Sequence, residues 1–227
     1  MKILFSLVFV LCCAVIIPAQ ERLIDKAEFD TMVAQGNTHK LKWEKYRMTV
    51  TTSSKTIGRP QTDYSSRMVI EYGPATDTRT STTSVFGANP AKGWQSMRIG
   101  NWVYTRSGDG PWSRKEYALQ APAEESAESS YKVLTSQAEY KYLGQGTVMD
   151  TPVQGFVKTQ RETKINQTTG ENAESDSKMT YWVDAKGMIL KSEYTSEHRG
   201  KFTSQTSVIM EWQLDPSITF TAPEIVP

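Results

Sequence analysis

The sequence predicts a mainly β protein: a single antiparallel sheet that curls because few helices are available to cover it. Three observations carry this. The first is alternation near the C-terminus. Phe202, Ser204, Thr206, Val208, Met210, Trp212 and Leu214 fall on one face of an extended segment, and Thr203, Gln205, Ser207, Glu211 and Gln213 on the other, with Ile209 breaking the pattern. A period of two held this long excludes a helix, and an apolar face backed by a polar one belongs to an antiparallel sheet covered on one side. The second is hairpin punctuation. Asp184-Ala185-Lys186-Gly187 separates two strand-like runs, 179–183 and 188–194, and Gly100-Asn101 separates 94–99 from 102–106. Asp at the first corner and Gly at the last suit a type I turn, with Gly187 free to take a positive φ. The third is the scarcity of helical periodicity, which only two short segments offer.

Residues 1–20 are set apart from the fold. Lys2, an unbroken apolar run over 3–17 and then Pro18-Ala19-Gln20 describe a secretory signal peptide cleaved near Ala19 or Gln20. The run is shorter than the roughly 20 apolar residues that span a bilayer. Cys12 and Cys13 lie inside it, and Leu11 and Cys12 stand where lipid attachment wants a small residue. The expected mature chain, 21–227, is one periplasmic or secreted domain with no cysteine and hence no disulfide. Without Lys2 the 26 basic residues fall to match the 25 acidic ones. A balanced chain lacks the positive surplus that nucleic acid or a polybasic membrane footprint requires.

A short helix opens the domain. Asp25 caps it, Glu28 completes a capping-box pattern, Ile24 and Phe29 form a hydrophobic staple, and Gly36 is placed to end it. Phe29, Met32 and Val33 make its apolar stripe. Strands follow from Lys40. Leu41 and Trp43 share one parity and Tyr46, Met48 and Val50 the other, which suggests a bulge near Glu44-Lys45. Further strands are expected over 65–72, 76–86, 94–99 and 102–106. A second helix is expected to start at Pro122, with Ala123, Ala127, Tyr131 and Leu134 on one side. Runs 140–149 and 152–163 read as a hairpin about Asp150-Thr151, 165–177 as an exposed loop, and 215–223 as an extended tail.

Little is available for catalysis. His39 and His198 sit among polar residues at element boundaries, and no phosphate-binding loop, His-Glu-x-x-His or Gly-x-Ser-x-Gly pattern occurs. No enzyme activity, cofactor or metal is expected. Asn166-Gln167-Thr168 fits a glycosylation acceptor. What is plentiful is Trp and Tyr on strands: Trp43, Tyr72, Trp94, Trp102, Tyr104, Trp112, Tyr181, Trp182 and Trp212. Most serve as core, but a large sheet with two weak helices leaves an apolar hollow, and soluble proteins rarely leave such a surface empty.

Several of these runs also resemble a known superfamily. The residues are Ile99-Gly100-Asn101-Trp102-Val103-Tyr104-Thr105-Arg106, Tyr142-Leu143-Gly144-Gln145-Gly146-Thr147-Val148, Thr151-Pro152-Val153, Trp182-Val183-Asp184-Ala185-Lys186-Gly187, Leu190-Lys191, Asp215-Pro216 and Ala222-Pro223. Together they resemble the LolA/LolB-like periplasmic lipoprotein carriers and their LppX-type lipid-binding relatives. The resemblance implies a strongly curved sheet, a half-open barrel, whose concave side is covered by helices and holds acyl chains of a lipid or lipoprotein. The carriers' lid arginine has no counterpart here, since Arg22 precedes the helix and Arg106 ends a strand. The expected protein is a monomer that binds a hydrophobic ligand without chemistry. Its expected lining is Phe29, Met32, Trp102, Tyr104, Leu190, Val208, Met210 and Trp212. The alternative is an envelope sensor or scaffold module of the same fold, binding another protein through a sheet face or edge.

Overall fold

The computed structural model describes residues 21–40, 45–73, 77–86, 89–90, 93–117 and 131–225. The signal peptide, Leu41, Trp43 and the helix start at Pro122 lie outside the described residues. The chain begins with β1 (Arg22–Leu23) and α1 (Lys26–Lys40). Next come β2 (Tyr46–Thr56), β3 (Tyr64–Tyr72), β4 (Thr78–Phe86), β5 (Asn89–Pro90), β6 (Trp94–Ile99), β7 (Trp102–Ser107) and β8 (Ser113–Glu116). A long meander completes it: β9 (Tyr131–Val148), β10 (Thr151–Asn166), β11 (Asn172–Asp184), β12 (Ile189–Arg199) and β13 (Thr203–Leu214).

All strands pair antiparallel in one sheet, in the order β1-β9-β10-β11-β12-β13-β2-β3-β4-β6-β7-β8, with β5 attached to β4. β1 and β8 stand at opposite ends, so the curved sheet is not closed. Hairpins set most neighbours, as their turns dictate. Gly187 takes φ 78, its N–H donates to the Asp184 carbonyl at 3.0 Å, and Asp184 Oδ1 accepts from the backbone N–H of Lys186 and Met188. The β9–β10 turn is Met149-Asp150, one residue earlier than expected. Both residues have positive φ, 46 and 62, the conformation of a two-residue turn that matches strand twist.

The register defines two faces. On the face that carries α1, one rung across the sheet reads Tyr142, Phe156, Tyr181, Ser192, Met210, Val50 and Met68. The next reads Trp212, Met48 and Ile70. Phe29, Phe156, Val183, Ile189 and Trp212 form the buried cluster of this face. The opposite face has a smaller cluster of Val148, Val153, Met188 and Leu190, with Trp182 packed against it. Trp182 lies over Gly155 so closely that a Cβ there would sit 2.6 Å from its ring. On this opposite face the buried Glu71 stands between Arg47 and Arg79 on the flanking strands and pairs with both, while Arg47 also reaches Asp215 at 3.1 Å. Those pairs satisfy a carboxylate that would otherwise be costly to bury. The tail is anchored by Ile218, 3 % exposed, and by Phe220 against Gly73.

Three expectations are corrected. Tyr131 and Leu134 belong to strand β9 and not to a helix. Residues 165–177 are mostly strand, because β10 and β11 continue as a polar ladder to the pair Ile165 and Asn172. α1 runs through Gly36 to Lys40. Gly36 is buried against Ile189, where a Cβ would meet the Ile189 side chain at 2.4 Å, so this glycine permits contact with the sheet and does not end the helix.

Candidate functional site

The candidate site lies where α1 meets the sheet. Asp25 Oδ1 accepts the Glu28 N–H at 2.7 Å and starts the helix, while the Glu28 carboxylate pairs with Arg22 and not with the cap backbone. Ile24 donates its N–H to the Tyr140 carbonyl at 3.1 Å, which ties the helix entry to β9. Phe29, 5 % exposed, then lodges between Tyr140 and Tyr181, with ring centroids 5.1 and 5.9 Å away. Tilted and edge-on aromatic contacts of this kind add to the area they bury.

The helix covers only part of its face. Along its flank runs a groove of about 560 Å³, bounded by Lys26, Phe29, Asp30, Val33 and Ala34 of α1. The sheet supplies Tyr140, Lys158, Gln160, Ser177, Met179, Tyr181 and Tyr194. Burial pushes the Tyr181 phenol above its ordinary pKa, which marks this wall as poorly hydrated. Lys26 pairs with Asp30, one turn along the helix. Beyond the helix the same face continues with Met48, Val50, Met68, Ile70, Val208 and Met210, all half-buried. Its far end carries stacked Tyr46 and Tyr72, 4.3 Å between centroids.

A larger hollow, about 1100 Å³, lies against strands β9 to β13 and β2. Of its lining residues, 12 belong to two adjacent rungs on the face opposite α1, among them Lys55, Arg161, Asp176, Lys178, Glu197 and Gln205. No other element lines it among the described residues. Its carboxylates are held by neighbouring cations and amides. Arg161 pairs with Asp176 at 2.8 Å, Arg199 joins Asp176 to Glu197, and Gln205 donates to Glu197 at 2.9 Å. Bonds from Arg161 and Arg199 hold the Asp176 carboxyl below its ordinary range, and bonds from Gln205 and Arg199 do the same for Glu197. Carboxylates fixed in this way serve structure more readily than proton transfer. Among the described residues no group of three His, Cys, Asp or Glu side chains converges as metal ligands, and no helix is long and apolar enough to cross a membrane.

The expected lining residues divide between the two faces. Phe29, Met32, Met210 and Trp212 meet in the cluster beside the groove, and Val208 lies on the same face between Tyr194 and Thr52. Leu190 lies on the opposite face, because a bulge between Trp182 and Val183 turns Ile189 towards the helix in its place. Tyr104 is also opposite, in the rung of Met97 and Arg114. Trp102, 40 % exposed, is stacked under Arg114 at 4.3 Å. The expected lining left out Tyr140, Lys158, Met179, Tyr181 and Tyr194. The alternation Met179, Tyr181, Val183 could have disclosed two of them, whereas nothing local marks Lys158.

No family model matches the chain, and neither does any curated protein. Among solved structures, the chain is similar to the Mycobacterium tuberculosis lipoprotein LppX, at 9 % identity and a TM-score of 0.43, over 86 % of this chain and 99 % of that one. It is also similar to a LolA superfamily protein from Nitrosomonas europaea, at 9 % identity and a TM-score of 0.29, over 81 % and 90 % of the two chains. Both groups that the sequence motifs resemble are among the structures found. A third is a DUF1329 family protein from Desulfovibrio piger, at 9 % identity and a TM-score of 0.30, over 86 % and 94 %. Likenesses this distant carry no argument about ligand or activity, and the reading below rests on the chain's own geometry.

Proposed function

We propose that this chain is an exported, non-enzymatic monomer whose domain, 21–227, binds the acyl chain of a lipid or lipoprotein as a carrier. The observation that supports it is the partial covering of one apolar face. α1 caps Tyr140, Tyr181 and Ile189, while a groove of about 560 Å³ stays open along its flank and leads towards Met210 and Val208. That volume lies within the ~300–1,000 Å³ typical of small-molecule sites. Each methylene that leaves water there contributes about 0.8 kcal/mol, so an alkyl chain binds without any chemical step.

Met210→Asp puts a carboxylate on this face. It should lower uptake of a fluorescent fatty acid by about tenfold or more and cost about 2 kcal/mol in urea unfolding. Gln213→Asp, on the opposite face, should change neither beyond about 0.5 kcal/mol. Protein purified without detergent should release lipid in native mass spectra. Equal behaviour of the two variants, or a ligand-free protein that takes up no fatty acid, overturns the carrier reading.

A second reading, a scaffold that binds an envelope protein, is favoured by the sheet end at β8. There Trp94 and Trp102 are 43 % and 40 % exposed, and Arg114 and Arg106 stack on Trp102 and Trp112. Arg and Trp are the residues that dominate protein interfaces, and a terminal strand can accept another strand. A specific pulldown from a clean, lipid-free protein distinguishes this case.

A further inference from the structure

Lys158 is set in the wall of the groove on β10, directly across from Tyr140 of β9 and Met179 of β11. It shares the groove with the apolar and aromatic Phe29, Tyr140, Met179 and Tyr181 as well as the polar Asp30, Gln160 and Ser177, and it is only partly exposed. The other ammonium of the groove, Lys26, is neutralised by Asp30. Lys158 has no ion pair or hydrogen bond among the described residues. An ammonium without a counter-charge becomes costly once a neutral ligand displaces the water around it. A negative group on the ligand reverses the sign of this effect.

We infer that the groove selects an anionic amphiphile, whose carboxylate or phosphate head pairs with the Lys158 ammonium while its alkyl chain lies along Phe29, Met179 and Tyr181. This rests on the reading of the groove as an acyl-chain site and adds the charge of the head group. With Lys26 and Asp30 cancelling, the groove carries one net positive charge, which complements one anion. The phenols of Tyr140 and Tyr194 line the same wall and can donate to the same head-group oxygens.

The test is displacement of a neutral fluorescent apolar probe from the mature chain by four competitors. These are hexadecanoic acid, hexadecanol, lysophosphatidic acid of the same chain length, and inorganic phosphate. The acid and the lysophosphatidic acid should displace the probe about fivefold better than the alcohol, the gain of one partly exposed charge-assisted pair. Lys158→Gln should erase that difference and leave the alcohol unchanged, and Lys158→Arg should restore it. Equal displacement by acid and alcohol in the unaltered chain overturns the inference, as does a Lys158→Gln variant that weakens all the amphiphiles alike. If inorganic phosphate suppresses acid binding at equal concentration, the site takes a free anion and the amphiphile assignment falls. If hexadecanol also fails to displace the probe, the acyl-chain reading itself falls, an outcome the alcohol arm separates from loss of charge selection alone.

Discussion

Gly36 shows how one missing methyl group positions the helix. In an exposed helix interior, Gly→Ala gains about 1 kcal/mol from backbone entropy and solvation. Here the added Cβ would stand 2.4 and 2.8 Å from two carbons of Ile189, the most buried side chain of the sheet. Gly36→Ala should therefore destabilise the protein by about 1–2 kcal/mol in urea unfolding, the usual cost of overpacking, and a gain in stability would refute the contact. Arg199 offers a test of a different kind. Its guanidinium joins Asp176, Glu197 and Glu174, and the first two carboxyls have folded pKa values below their ordinary ones. Lowered folded values give stability that is fully present above the unfolded carboxylate range, about pH 4, and lost as pH falls through the folded values. The urea midpoints of the unaltered chain and of Arg199→Gln should differ most at pH 7 and converge towards pH 2. A gap that stays constant with pH would show that the variant acts through packing. The difference should be small, since these groups face water.

At the scale of elements, α1 rests on the sheet through Phe29, Met32, Val33 and Gly36 and one backbone hydrogen bond at its entry, whereas interior strands are held on both sides. A ligand in the proposed groove would touch the same Phe29 and Val33. Amide hydrogen exchange should find α1 less protected than β11 to β13, and more protected once a fatty acid is added. Protection equal to that of the meander, with and without lipid, would make α1 a fixed part of the core. Elements were legible where local chemistry repeats: the alternation of β13, the Asp184–Gly187 turn, the Asp25 cap. They were hidden where both strand faces meet water. From Lys132 to Glu139, β9 is exposed throughout, so apolar alternation had nothing to report, and its Tyr131 and Leu134 read as the end of a helix. The site was half legible for a related reason. Parity sorts residues within one strand, as it did for Val208, Met210 and Trp212. Assigning Trp102 and Tyr104 to a face requires the register through β2, β3, β4 and β6, which no local signal supplies. Leu190 was misplaced by a single bulge, and Lys158 reads as an ordinary surface lysine until its neighbours are known.

At the scale of the molecule, the sheet joins two meanders of unequal character. β9 to β13 carry the buried aromatic wall and the helix contacts, whereas β4 shows mostly Thr and Ser to the α1 side. The joint between them is β13 against β2, eleven paired residues from Ser204–Thr56 to Leu214–Tyr46. Those partners are separated by most of the chain, and sheets built on such distant pairings form slowly. β13, the last described strand in chain order, is therefore an interior strand of the finished sheet. Until it arrives, β2 and β12 each present a bare row of backbone donors and acceptors beside apolar side chains, an arrangement prone to pairing with other chains. A chain exported as proposed would cross its membrane before that seam closes. The seam thus makes the finished sheet wait for residues 203–214: a chain lacking them should hold two sheets with open edges in place of one, and be correspondingly prone to aggregate.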